Sequence, residues 1–269
     1  MAEITAKLVN ELRAKTGQGM MECKKMLTEF GGDIEKAIEG FRKKGVKASL
    51  SERAASEGRV LGVATEDGKA AAIVEINCNT DFTAKSEPVL KLGTQAAQQL
   101  AHNPNADIAQ AIQAGLTEVS QTTGENVRLG KSAVVTAPAG GKAGLYLYSI
   151  TGKIGVVMAF TGQPSEELIK QIGGHIAFAR PLGLTREEVP ADLVAKERAF
   201  AVEQATATGK PQNIAEKIAE GKMNSFFAER VLLDQEFFNA SVFKGTIGNY
   251  LKQNGVGITK YVRIEVGQG

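Results

Sequence analysis

Ala70-Ala71-Ala72-Ile73-Val74-Glu75-Ile76-Asn77-Cys78, running on into Asn79-Thr80-Asp81-Phe82-Thr83-Ala84-Lys85, is the stretch that decides how this chain folds. Its first half is apolar almost throughout and reads as a buried strand. Asn77, Asn79, Thr80 and Asp81 supply the polar cluster at which a strand hands over to a turn. Phe82 breaks that cluster. A bulky aromatic at a strand exit is either a core plug or a side chain displayed to a partner, and residue type alone favours the core. Upstream, Arg59 to Thr65 reads as a second strand, joined through Glu66-Asp67-Gly68-Lys69, whose Asp-Gly pair signals a hairpin. Downstream, Ser86 to His102 reads as a helix, with Ser86 as cap and Pro88 in its first turn.

The same order recurs. A second amphipathic helix is expected over Ala106 to Gln121, then strands over Lys131 to Ala137, Leu145 to Thr151 and Ile154 to Thr161. Gly152-Lys153 reads as the tight turn between the last two. A helix from Ser165 to Arg180 follows, and Pro181 stops it. Leu92-Gly93-Thr94-Gln95-Ala96-Ala97 matches Ile172-Gly173-Gly174-His175-Ile176-Ala177 at a spacing of 80. A hairpin strand leading into a helix twice, with this echo, predicts two related half-domains. The fold class is α+β, with antiparallel sheets.

The flanks are helical. In residues 1–45, Ile4, Leu8, Val9 and Leu12 form one stripe, capped by Thr5 and closed by Gly17. Cys23, Met26, Leu27 and Phe30 form a second, stopped at Gly31-Gly32. Asp33 caps a third, with Ile34, Ala37, Ile38 and Phe41 on one face and Gly45 at its end. Three short helices make a minimal bundle with a small core. Arg42, Lys43, Lys44, Lys47 and Arg53 make the next stretch basic, and small polar residues there read as a solvated linker. Val189 to Thr208 and Pro211 to Arg230 read as two long helices reversed by Gly209-Lys210-Pro211. Leu193, Phe200 and Ala207 keep a seven-residue spacing, with Ile214 and Ile218 opposing them, which predicts an antiparallel coiled-coil hairpin. Thr246 caps a helix through Gln253, and Ile258 to Val266 alternates as a strand with Ile258, Val262, Ile264 and Val266 inward or shared with the core sheet. The expected division is therefore a helical domain (1–45), a linker (46–57), a first core subdomain (58–142), and a second (143–186 and 231–269) interrupted by the hairpin (187–230).

Composition narrows the function. With 43% hydrophobic and 23% charged residues the chain is of ordinary globular make-up, and its net charge of +2 gives no argument for direct nucleic-acid binding. No apolar run approaches a membrane span, and Met1-Ala2-Glu3-Ile4 opens no signal peptide, so a cytoplasmic protein is expected. Two cysteines, Cys23 and Cys78, make no disulfide framework and read as buried thiols. Two histidines, His102 and His175, are too few for a zinc centre, and no phosphate loop or dinucleotide fingerprint is present. No cofactor, metal or catalytic constellation is expected.

Asn77-Cys78-Asn79-Thr80-Asp81-Phe82-Thr83-Ala84-Lys85 resembles the signature of the elongation factor Ts family, the bacterial nucleotide exchange factors for elongation factor Tu. The family's usual form ends in Val-Ala-Lys, so Thr83 departs from it. Leu12-Arg13, Thr16-Gly17, Gly19-Met20-Met21 and Cys23-Lys24-Lys25 are similar to its N-terminal domain, which is of the ubiquitin-associated type. Gly124-Glu125-Asn126-Val127, Ile154-Gly155-Val156, His175-Ile176-Ala177, Ser225-Phe226-Phe227 and the closing Val262-Arg263-Ile264-Glu265-Val266-Gly267 extend the resemblance along the chain. It implies a factor that performs no covalent chemistry and acts on a GTPase. By resemblance, Thr80, Asp81, Phe82 and Thr83 dislodge Mg2+ in the partner. Met20, Met21 and Lys24 dock the helical domain on it, and Ile154, Gly155 and His175 make contacts from the second half of the core. A complex with two copies of each protein is also implied. From the residues themselves each has a plainer reading: Met20 and Met21 as core filling, Lys24 as a solvated charge, His175 as a satisfied core histidine and Gly155 as a packing glycine. Two other classes stay open at this point: a ubiquitin-like adaptor, which a pull-down would identify, and an enzyme using Asp81, Glu125 or His175, which would need a concave polar pocket.

Overall fold

The computed structural model describes residues 4–43, 53–207, 209 and 211–268. Lys44, Gly45, Lys47, Lys210 and residues 46–52 of the expected linker lie outside them. Helices α1 (Ala6–Thr16), α2 (Met20–Glu29) and α3 (Ile34–Lys43) form the N-terminal bundle. Thr5 Oγ1 accepts from Leu8 N and Asp33 Oδ1 from Lys36 N, as capping residues should. Gly17 ends α1 in the left-handed conformation at φ 69°. Val9, Leu12, Cys23, Met26, Leu27, Ala37 and Phe41 make the core. The bundle lies against the rest of the molecule through α1, where Asn10 O accepts from Gln121 Nε2 at 3.4 Å.

Strands β1 (Glu57–Ala64) and β2 (Ala70–Cys78) form the expected hairpin. A single turn, α4 (Asp81–Ala84), follows β2, and then come α5 (Glu87–His102), α6 (Ile108–Thr123) and β3 (Arg128–Thr136), which pairs antiparallel with β2. The second sheet takes β4 (Lys142–Leu147) and β5 (Ile154–Thr161). The chain continues through α7 (Glu166–Ala179), the long helices α8 (Ala191–Thr206) and α9 (Gln212–Arg230), and α10 (Ile247–Gln253). The final strand, β6 (Gly257–Glu265), returns to pair with β5. The sheets run β1-β2-β3 and β4-β5-β6, antiparallel throughout.

The two sheets stack face to face. Ala71, Ile73, Val135, Val157, Ala159 and Ile264 fill the space between them. On the far side of the first sheet, Ala72, Val74, Ile76 and Cys78 meet α5 and α6; on the far side of the second, Val156, Met158 and Phe160 meet α7 and α10. The core is four layers deep, helix–sheet–sheet–helix, and β2 and β5 are covered on both faces. That is why both read as unbroken apolar runs rather than as alternating strands. Of the two polar residues in β2, Glu75 sits at a register shift, where its carboxylate accepts from the other, Asn77 Nδ2, at 2.6 Å, and from Lys131 N, at 3.1 Å.

Two expectations change. The strand expected over Leu145 to Thr151 stops at Leu147, and residues 148–153 form a longer turn in which Gly152 N donates to Tyr148 O at 2.8 Å. Ile258, Val262, Ile264 and Val266 turn inward as expected, Ile258 onto the helices beside Phe160 and the others onto the other sheet, because a bulge after Ala159 flips the register. Helices α8 and α9 form the expected antiparallel pair, but the heptad does not make its seam: Phe200 is 56% exposed and Ala207 is exposed. Ala201 and Ala205 face Ala215 and Ala219 instead, at a spacing of four, and Val189, Met223, Phe227 and Val231 close the base. Small side chains let two helices approach closely, and a phenylalanine in that seam would hold them apart.

Candidate functional site: an exposed phenylalanine at a buried strand exit

Cys78, the last residue of β2, is fully buried, and four residues later Phe82 is 83% exposed. The reversal is made by α4. Thr80 is its N-cap: the backbone is extended and Oγ1 accepts from Thr83 N at 3.3 Å. Thr83 and Ala84 turn into the core, and Asp81 and Phe82, on the opposite side of the turn, face solvent. Cys78 Sγ donates to Thr80 O at 3.1 Å, and burial pushes that thiol's pKa up to about 11, so it stays protonated. Asp81 is paired with Lys85, Nζ to Oδ2 2.8 Å, a contact that holds its carboxyl below the usual range. The core-plug reading of Phe82 is thereby excluded. An apolar side chain is held in water by a capped turn anchored on the most buried strand in the molecule.

Other exposed apolar side chains gather at few places. Met20 and Met21 stand on the face of α2 opposite its buried Cys23, Met26 and Leu27, and Lys24 shares that exposed face. These two methionines are not core filling. Ile154 and Gly155 are buried between the layers, and a Cβ on Gly155 would come within 2.6 Å of Val60 Cγ1. Gly155 shapes the interface between the sheets and Ile154 packs on the helix side of β5, so neither presents a side chain at the surface. The tip of the preceding turn does, at Ile150.

His175 is only 4% exposed but forms the floor of a groove of about 700 Å3 rimmed by Phe178, Phe238 and Tyr146. Gln235 fixes its tautomer. The Gln235 amide donates to Glu229 O at 2.8 Å, which turns Oε1 toward His175 Nε2 at 2.9 Å, so Nε2 carries the proton. Nδ1 is buried without a partner. Burial pushes the pKa of the imidazole below its ordinary 6.5, with the Gln235 contact opposing. A histidine held neutral in the fold contributes stability above its unfolded value that is lost as pH falls through 6.5 toward the folded value. The melting temperature should therefore drop between pH 7.5 and 5.5, and His175→Gln should flatten that drop. An equal drop in the variant would assign it to other groups.

The sequence reading did not pick out Phe178 and Phe238, which are 58% and 62% exposed. Phe178 lies three positions after His175 on α7, and the Phe237-Phe238 doublet sits in a loop. Adjacent aromatics in a loop rarely share one pocket, and here Phe237 stacks on Tyr250 with centroids 4.5 Å apart while Phe238 faces out.

A family model described as Elongation factor TS matches residues 79–268, which begin at the residue after β2. The chain belongs to the elongation factor Ts family. It is 41% identical to elongation factor Ts of Methylococcus capsulatus over 99% of this chain and 93% of that protein. It is 39% identical to those of Photorhabdus laumondii and Yersinia pestis, over 100% of this chain and 94% and 93% of theirs. Within the elongation factor Ts match fall the capped turn, the groove over His175 and the helical pair α8–α9.

Proposed function

We propose that this chain promotes GDP release from elongation factor Tu, and its exchange for GTP, by wedging Asp81 and Phe82 beside the nucleotide and Mg2+ site of that GTPase. The exposed Phe82 on its anchored turn carries this reading. A GTPase grips GDP through phosphate-loop amides and a bridging Mg2+, and Mg2+ demands near-octahedral geometry. A side chain forced under the supports of that metal weakens the grip. Burying Phe82 in an apolar cleft supplies ~2–3 kcal/mol, enough for a tenfold to hundredfold acceleration. Asp81 enters with it, giving up Lys85, and Thr80 and Thr83 hold the turn's shape.

Docking is spread over two further surfaces. Met20, Met21 and Lys24 offer a soft apolar face with one cation, suited to an adaptable contact. Phe178 and Phe238 around His175 offer a second, to which Ile154 and Gly155 contribute by setting the layer beneath. The helical bundle, of ubiquitin-associated type, the two-part core and the coiled-coil hairpin act as separate modules in this reading. The protein works in the cytoplasm, without covalent chemistry, and two copies of each partner form the larger complex.

Release of fluorescent GDP from elongation factor Tu, with and without this chain, tests the function directly. A Mg2+ series tests the mechanism. Coupling is reciprocal, so removing the metal should already perform part of the factor's work. The acceleration should be smaller in excess chelator than in millimolar Mg2+, while affinity for the GDP-bound partner rises. An acceleration independent of Mg2+ would exclude metal displacement and leave the phosphate loop as the point of attack.

A further inference from the structure

We infer that Glu125 is a positioning residue for exchange, clamping the capped turn that carries Phe82. The inference rests on the wedge reading above. Pairing of β2 with β1 ends at Cys78 and with β3 at Asn77, so the backbone N–H groups of Asn79 and Thr80 have no strand to donate to. Glu125 takes both: its Oε2 accepts from Asn79 N at 3.0 Å and Thr80 N at 3.1 Å. Its Oε1 accepts from Thr80 Oγ1 at 2.6 Å. That last bond matters most. With the hydroxyl proton committed to the carboxylate, a lone pair of Thr80 Oγ1 is left facing Thr83 N, the bond that caps α4. A helix of four residues cannot persist on its own hydrogen bonds. Its shape, and the direction of Phe82, are inherited through Thr80 from Glu125.

The clamp also reaches the segment leading from the helical bundle. Asn79 Nδ2 donates to Ala54 O and Asn126 Nδ2 to Arg53 O, both at 2.8 Å, and Asn126 N donates to Asn79 Oδ1 at 2.8 Å. The strand exit, the loop after α6 and the stretch before β1 are tied into one unit.

The test is steady-state GDP release from elongation factor Tu at varied concentrations of the full chain. Glu125→Ala should lower the maximal rate about fivefold to tenfold, the scale of losing a cap and a charge-assisted bond. The half-saturating concentration should change less than about twofold, since docking lies elsewhere. Glu125→Gln, which keeps one acceptor oxygen for the two backbone donors but has none left for the Thr80 hydroxyl, should recover only part of the rate. Thr80→Val should reproduce the loss with the carboxylate intact. In the Phe82→Ala background, Glu125→Ala should add nothing further, because the clamp has nothing left to aim. Circular dichroism checks each variant; should Glu125→Ala not fold, Thr80→Val and Glu125→Gln decide alone. Parental rates in folded Glu125→Ala or Thr80→Val, or a loss that multiplies with Phe82→Ala, would overturn the inference while leaving the wedge standing. A parental rate in Phe82→Ala itself would remove the wedge reading and the clamp's role together.

Discussion

Phe82→Ala should slow catalysed GDP release from elongation factor Tu by at least tenfold and leave the melting temperature almost unmoved. The two halves of this expectation come from the same number. At 83% exposure the ring makes little contact with its own chain, so its removal falls in the surface class, within about 0.5 kcal/mol, or a degree or two of melting temperature for a protein this size. A core phenylalanine would instead cost ~3–5 kcal/mol. The ring's apolar area is therefore available to a partner, and its loss is felt as ~2–3 kcal/mol of missing wedge energy. Stopped-flow release beside thermal unfolding reads both. A parental exchange rate in a fully folded variant refutes the wedge. Asp81→Ala should show a milder version, because Asp81 must leave Lys85 before it engages anything else.

Much of this arrangement was legible in the sequence because it depends on local chemistry. Caps at Thr5, Asp33 and Thr246 and the hairpin turn at Asp67-Gly68 are set by the residue and its immediate neighbours. Unbroken apolar runs marked the two central strands, because both of their faces are covered. The functional turn was legible only in part. Polar residues after Cys78 announced an exit, but Thr80 capping a single helical turn is too short to show as periodicity. Nothing in the order of residues says that Glu125 closes on that exit. The partner sits 45 positions away from Thr80, and only the fold brings them together.

Where the sequence misled, a long-range contact overrode a local pattern. Leu193, Phe200 and Ala207 satisfy a heptad, yet the helices meet along alanines, since closeness of the two backbones stabilises the pair more than one large side chain would. Residue type could not distinguish a buried from a displayed aromatic at Phe82, Phe178 or Phe238. All three are exposed and the proposed function uses them, while Ile150, Phe200, Ile214 and Val242 are exposed as well and it does not call on them.

The internal echo makes the sharpest structural expectation, because its two glycines look alike in sequence and differ in what surrounds them. Gly93 in α5 and Gly173 in α7 each lie where a helix presses on its sheet. In a helix, glycine to alanine gains up to ~1 kcal/mol in propensity. Against that stands the added methyl group. On Gly93 it would come within 2.5 Å of Leu61 Cδ1, the end of a flexible side chain that can rotate away. On Gly173 it would overlap Tyr146 Cβ, which the backbone of β4 fixes, with Tyr146 Cγ at 2.8 Å and Met158 Cε at 3.2 Å. No rotation relieves that contact, so α7 must lift from the sheet, at the ~1–3 kcal/mol typical of overpacking. Gly93→Ala should then be close to neutral, and Gly173→Ala, net of the propensity gain, should lose up to about 8 °C of melting temperature, at ~2–4 °C per kcal/mol. The lift has a second consequence. His175 and Phe178 ride on the same helix, so the groove they form with Phe238 should open, and the half-saturating concentration for exchange should rise even where the variant is fully folded. Calorimetry and exchange kinetics on the two variants decide the matter. Equal losses from both would show that the sheet gives way as readily beneath α7 as beneath α5, and an unchanged half-saturating concentration for folded Gly173→Ala would take the groove out of docking.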